Sequence, residues 1–141
     1  MSAVLPAAQL ESCFGVRVVT IARQALGKLG EDLAVRELER LGYAILARRY
    51  RTRCGEIDII AQDGQTVVFV EVKARADAEF GTAAEAVTAW KQRQLSRMAA
   101  DYLTRVGVGG RPCRFDVVAI MFDREPPSIE LFRNAFDASV R

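Results

Sequence analysis

Glu71 and Lys73 stand two positions apart in "TVVFVEVKAR" (66–75), a run otherwise made largely of core-forming residues. Side chains two apart on a strand point the same way, so a carboxylate and an amine project together from an apolar segment. "EIDIIAQ" (56–62) precedes it across Asp63-Gly64, a strong hairpin signal between two apolar runs. With Asp63 and Gly64 as the turn residues, Gln62 faces Gln65, Asp58 faces Phe69 and Glu56 faces Glu71. Asp58 and Glu71 are then diagonal neighbours on one face, with alpha carbons roughly 7–8 Å apart. Glu56 and Lys73 share that face, while Ile57, Ile59, Val68, Val70 and Val72 fill the other.

Three carboxylates in one patch repel one another unless something positive joins them. A hard divalent cation meets that need: Mg²⁺ takes oxygen ligands, typically one or two carboxylates together with waters and phosphate oxygens. Beside such an ion, Lys73 can orient an attacking water or neutralise charge developing on a phosphate. A Glu-x-Lys pair alone is more often a solvent-facing ion pair, because short motifs misfire. Asp58, at the computed diagonal inside an apolar strand, shifts the balance toward a site.

Composition narrows the chemistry further. The chain has 141 residues, a length that suits one domain with its own core. Histidine is absent, which excludes Ser-His-Asp and Cys-His catalysis and histidine metal ligands. Cys13, Cys54 and Cys113 are odd in number and widely spaced, so they form neither a metal knuckle nor a disulfide framework. A reducing, cytoplasmic setting is expected. No apolar run reaches membrane-spanning length, and Glu11 and Arg17 interrupt the N-terminal apolar patches. Residues 1–23 read as an N-terminal extension, a candidate for disorder, ahead of one domain over 24–141.

The elements that must hold these residues follow from periodicity. "QALGKLGEDLAVRELERL" (24–41) predicts a helix stopped by Gly42, with Glu31 on a stripe shared with Gly27, Ala34, Val35 and Leu38. A short strand over 43–50 and the hairpin come next. A second helix over 82–106 is expected, with Thr82 and Glu85 as a capping box and Gly107, Gly109 and Gly110 ending it. "RFDVVAIMF" (114–122) reads as a buried strand and "SIELFRN" (128–134), after Pro126-Pro127, as an edge strand. The order α-β-β-β-α-β-β predicts a mixed α/β sheet flanked by helices.

Asp58 followed by Glu71-Val72-Lys73, with Ile57 in the place of a loosely kept proline, resembles the PD-(D/E)xK nuclease superfamily. The nearer resemblance is to the YraN-like uncharacterised protein family, similar in its core to archaeal Holliday-junction resolvases. It rests on "LGKLGEDLA" (26–34), "YRTRCGEIDIIAQDG" (50–64), "VVFVEVKAR" (67–75), "FGTAAEAV" (80–87) and "RFDVVAI" (114–120). The resemblance implies a restriction-endonuclease-like core and a metal-dependent nuclease acting on DNA phosphodiesters, with a structure-specific role in repair or recombination. Asp58 and Glu71 would hold Mg²⁺ or Mn²⁺, Lys73 would be the catalytic lysine, and Glu31 would complete the site from the helix. Glu56, in "GEID", takes a supporting or second-ligand role. Gln94 is followed at helical spacing by Met98, not by the tyrosine of a Gln-x-x-x-Tyr motif, so neither Gln92 nor Gln94 carries catalytic weight.

Basic residues flank the acidic patch: Arg48, Arg49, Arg51 and Arg53 before it, Arg75, Lys91, Arg93 and Arg97 after it. Such runs are usually solvated surface, but around a carboxylate site they suit backbone phosphates. Arg51, Arg53, Arg75, Lys91 and Arg93 are the candidate nucleic-acid contacts, with branched or single-stranded DNA as the partner. Trp90 and Tyr102 could stack on bases but are expected in the helix core. Cys54 lacks an activating partner and is read as incidental. A homodimer is implied only by the resolvase resemblance. A non-catalytic DNA-binding or interaction module keeping the nuclease fold, and an RNA-directed enzyme, stay open beside the nuclease.

Overall fold

The computed structural model describes residues 7–76, 87–107 and 110–137, with 7–23 as backbone only. Helix α1 spans Ala7–Arg40, followed by strands β1 (Ala44–Thr52), β2 (Gly55–Asp63) and β3 (Thr66–Arg75). Helix α2 (Ala89–Val106) leads to β4 (Cys113–Met121) and β5 (Ser128–Phe132). The order is the one expected from periodicity, and α1 begins well before residue 24. Gly42 takes φ 94, a left-handed conformation that ends α1 where the sequence places its stop.

The five strands form one mixed sheet in the order β1-β2-β3-β4-β5. Neighbours are antiparallel except β3 and β4, which run parallel and are joined through α2. β5 lies at an edge as expected. β3 is central and covered on both faces, which explains its unbroken apolar run from Val67 to Val70. On one face α2 contributes Leu95, Met98, Ala99, Tyr102 and Leu103 to a core with Ile57, Ile60, Phe69 and Phe115. On the other face α1 contributes Ala34 and Leu38 to a core with Ile59, Val68, Val70, Val118 and Ile120.

Two local expectations are corrected. Thr88, not Thr82, caps α2: its side chain accepts from the Lys91 amide at 3.2 Å. Thr82 and Glu85 lie outside the described residues. The hairpin turn is Gly64-Gln65, because Asp63 pairs with Thr66 and Ile60 with Phe69. Glycine leads the turn with φ 61, and the register is two residues from the expected one. A shift of two preserves strand parity, and Asp58 remains near enough to Glu71 to feel its charge.

One face assignment does change. Ile57 packs with the α2-side core and Ile59 with the α1-side core, so alternation breaks at Asp58. Arg49 lies between the pairs Arg48↔Ile59 and Tyr50↔Ile57 and has φ 53. β1 and β2 therefore kink together. The kink sits at the residues that matter for chemistry.

Candidate functional site

The β2–β3 ladder ends at Ile59 and Val70. Beyond it the strands part, and the Asp58 carboxylate accepts the Val72 amide at 2.8 Å in place of a backbone carbonyl. An aspartate at that break is held by main chain, not by a flexible salt bridge. Glu71, one residue earlier on β3, is buried at 7 % exposure. Its Oε1 lies 3.6 Å from the Lys73 ammonium and 3.9 Å from that of Lys91 on α2.

The other glutamate oxygen, Glu71 Oε2, is buried without a hydrogen-bond partner among the described residues. That is costly for a charged group. The contrast with Asp116 shows the chain can do otherwise. Asp116, at 1 % exposure, accepts from Arg114 at 2.9 Å, the Tyr43 hydroxyl at 3.2 Å and the Asn134 amide at 3.0 Å. Asp116 has partners at both oxygens; Glu71 has two lysines near one oxygen and, among the described residues, nothing on the other.

Asp58 carries the same excess of negative charge. Burial, then the Glu71 carboxylate, push its carboxyl up to about 7; Glu31 adds to the rise, and the Val72 amide and Lys91 oppose it. Glu31 reaches this place because α1 packs closely on β3. A Cβ on Gly30 would lie 2.8 Å from the Ala74 Cβ, closer than real side chains come. Glycine there lets the helix lie close to the strand, and the next residue is the buried glutamate.

Glu31 does not enter the site unpaired. It accepts from Arg48 at 3.2 and 3.3 Å and from Arg49 at 3.2 and 3.3 Å. Arg48 also holds Asp32 at 2.6 Å. Glu56 is taken by Arg51 at 3.1 Å. Glu31, Asp58 and Glu56 line a groove of about 580 Å³ with Lys28, Arg49 and Arg51 on the α1 side of the hairpin. The four acidic residues Asp58, Glu71, Glu31 and Glu56 are thus not gathered at one point. Among the described residues, no three acidic or cysteine side chains converge closely enough to hold a metal ion in this arrangement. Asp58 and Glu71 are the pair whose unmet charge suits one.

Of the candidate phosphate contacts, Lys91 lies beside Glu71, Arg51 is paired, and Arg53 and Arg93 are exposed. Arg75 ends β3, where its carbonyl accepts the Phe122 amide at 2.9 Å. The roles of Arg48 and Arg49 as partners of Glu31, and of Lys91 as a second cation on Glu71, have no local sequence signal. They arise from packing between elements. Tyr102 is a core residue, edge-on to Tyr50 and Phe69. Trp90, expected in the helix core, is instead 60 % exposed on the first turn of α2, next to Lys91.

Residues 30–120 match the family described as "Uncharacterised protein family UPF0102". The chain belongs to the UPF0102 family. A UPF0102 protein of Pelotomaculum thermopropionicum is 46 % identical over 117 residues, covering 82 % of this chain and 98 % of the relative. One from Geobacter sulfurreducens is 51 % identical over 113 residues, covering 79 % of this chain and 88 % of the relative. The UPF0102 match runs from Gly30 to Ile120, so it takes in Glu31, Glu56, Asp58, Glu71, Lys73 and Lys91. Among the described residues, no helix is long and apolar enough to cross a membrane.

Proposed function

We propose that this protein is a metal-dependent nuclease of PD-(D/E)xK type, with a restriction-endonuclease-like core, hydrolysing DNA phosphodiesters. One observation carries the reading: Glu71 Oε2 is buried without a partner next to Asp58, itself pushed up to about 7. Two carboxylates short of positive charge, beside an open groove, fit a hard cation that takes its remaining ligands from water and phosphate. Asp58 and Glu71 would hold Mg²⁺ or Mn²⁺. When bound, the ion supplies charge stabilisation on phosphoryl oxygens and makes its water a stronger nucleophile.

The chain's own groups supply the rest. Lys73, 3.6 Å from Glu71, orients a water toward the phosphorus and balances charge on the phosphoryl group. Lys91 holds Glu71 in place from α2 and adds a second positive charge. Arg48 and Arg49 hold the Glu31 carboxylate in place, where it raises Asp58 through space.

A second reading, a DNA-binding module without catalysis, is favoured by one fact: Glu31 and Glu56 already carry arginine partners. One assay separates the two. Labelled single-stranded, duplex, flap and four-way-junction DNAs are incubated with Mg²⁺, Mn²⁺ or EDTA, beside Lys73→Ala purified identically. The nuclease reading expects metal-dependent cutting that drops at least 100-fold in Lys73→Ala with folding unchanged. Undiminished cutting in the variant removes Lys73 from the chemistry, and binding without cutting supports the second reading.

A further inference from the structure

On the opposite side of the β1–β2 hairpin from the acidic groove lies a second cleft, of about 410 Å³, between the hairpin turn and α2. Thr52, Arg53 and Cys54 form one wall, and Arg97, Asp101 and Arg105 the other. The three α2 residues recur every fourth position, so they stack on one stripe about 6 Å apart. Three guanidinium groups thus share a concave space with one carboxylate.

That carboxylate is already used. Asp101 pairs with Arg105 at 3.3 Å and accepts the Tyr50 hydroxyl at 2.9 Å. Neither Arg53 nor Arg97 has a carboxylate partner among the described residues, and both are exposed. Among the described residues, two positive charges therefore line the cleft without a carboxylate partner.

The cleft is built from fixed parts. The Thr52 hydroxyl accepts the Cys54 amide at 3.0 Å and donates to the Gly55 carbonyl at 3.4 Å, which closes the turn that presents Arg53. The turn rests on α2, since a Cβ on Gly55 would sit 3.8 Å from the Met98 sulfur. Arg97 occupies the exposed position immediately before Met98, so the turn and the arginine are positioned by the same contact.

We propose that this cleft is a phosphate-binding site, distinct from the acidic groove, which holds a backbone phosphate of a bound nucleic acid through Arg53 and Arg97. The choice of ligand rests on the nucleic-acid reading above. Planar guanidinium forks suit phosphate oxygens, and a contact of this kind positions the strand without reading its sequence. Arg93, one turn before Arg97, extends the stripe toward the start of α2, the end of the helix from which Lys91, on another face, reaches Glu71. From Lys91 to Arg97 the helix rises about 9 Å, the axial length of two to three base steps. The strand would run along α2 from the acidic residues to the hairpin turn, with the cleft holding a phosphate about two or three nucleotides from the cut.

The test is binding, not cleavage. Fluorescence anisotropy of a labelled single-stranded DNA and its RNA counterpart is followed in EDTA across a salt series. Wild type is compared with the double variant Arg53→Ala/Arg97→Ala, with Arg53→Lys/Arg97→Lys, and with Arg124→Ala as a control for loss of one exposed charge. The alanine pair is expected to weaken binding about 10-fold or more and to lower the slope of log K against log salt by about 0.7, one phosphate contact on a single strand. The lysine pair should recover the slope but not the full affinity. An alanine pair that matches wild type or loses no more than Arg124→Ala overturns the proposal, as does a wild-type chain that binds neither strand. Arginine-dependent binding without metal-dependent cutting would leave this site standing and the nuclease reading fallen; normal cutting with arginine-independent binding would do the reverse.

Discussion

Asp58 is held where a carboxylate is least comfortable: mostly buried, near two other carboxylates, its one good bond coming from the Val72 amide. A carboxyl raised to about 7 by folding has a definite consequence for stability. Between the ordinary aspartate range near 4 and that raised value, the folded protein keeps a proton that the unfolded chain releases. Stability is therefore full below about pH 4, falls as pH rises toward 7, and is flat above it, with a total loss on the order of 4 kcal/mol at most. Asp58→Asn keeps an acceptor for the Val72 amide and removes the charge. In EDTA the variant should show a flatter urea midpoint between pH 4 and 8 and exceed wild type at pH 8, while losing any cleavage. Parallel wild-type and variant curves would mean that Asp58 is not strained by its neighbours. A variant more stable than wild type at pH 8 is the usual sign of a site kept at the expense of stability.

At the scale of elements, the position of α1 on β3 decides where Glu31 can act, and Gly30 decides that position. Gly30→Ala gains helix propensity of about 1 kcal/mol but drives a methyl against Ala74, an overlap that typically costs about 1–3 kcal/mol. A net loss near 1 kcal/mol is expected by urea unfolding. The pair Gly30→Ala/Ala74→Gly should recover it, whereas additive losses would mean that the two residues do not meet. Much of this arrangement is legible in the sequence, because strand and helix order, the Gly42 stop and the hairpin are written in local patterns. The parity of the strands, a local property, put Asp58, Glu71 and Lys73 at one strand end even though the turn proved to be Gly64-Gln65. What the sequence hides is long-range. Arg48 and Arg49 look like phosphate contacts until α1 brings Glu31 to them, and the kink at Asp58 and Arg49 breaks an alternation that looked regular. Trp90 looks like core because it is aromatic, yet it sits on the exposed first turn that Thr88 caps.

The whole molecule is nearly neutral, with 20 basic and 18 acidic residues, so its electrostatics lie in how charges are distributed, not in their sum. Most described acidic side chains near the hairpin have an arginine or lysine, and what is left unmet among the described residues is concentrated at Asp58 and at Oε2 of Glu71. An ion that binds there only in the folded state must stabilise the entire domain by mass action. At 100 times its dissociation constant that linkage is worth about 2.7 kcal/mol, roughly 10 °C in Tm for a domain of this size. Thermal melts at pH 7.5 in EDTA and in saturating Mg²⁺ or Mn²⁺ read it directly, without nucleic acid. Glu71→Gln should change the melting temperature in EDTA little, since it removes a buried carboxylate but also the partner of Lys73 and Lys91, and should lose most of the metal-dependent rise. Glu31→Gln should differ: melt lower in EDTA, because Arg49 loses its carboxylate partner and Arg48 keeps only Asp32, yet keep the rise. If both variants lose the rise equally, Glu31 is a ligand and its arginine pairs give way when the ion binds. If neither wild type nor variants respond to either metal, the charge deficit at Asp58 and Glu71 is met by the two lysines alone, and the pair serves the fold instead of an ion.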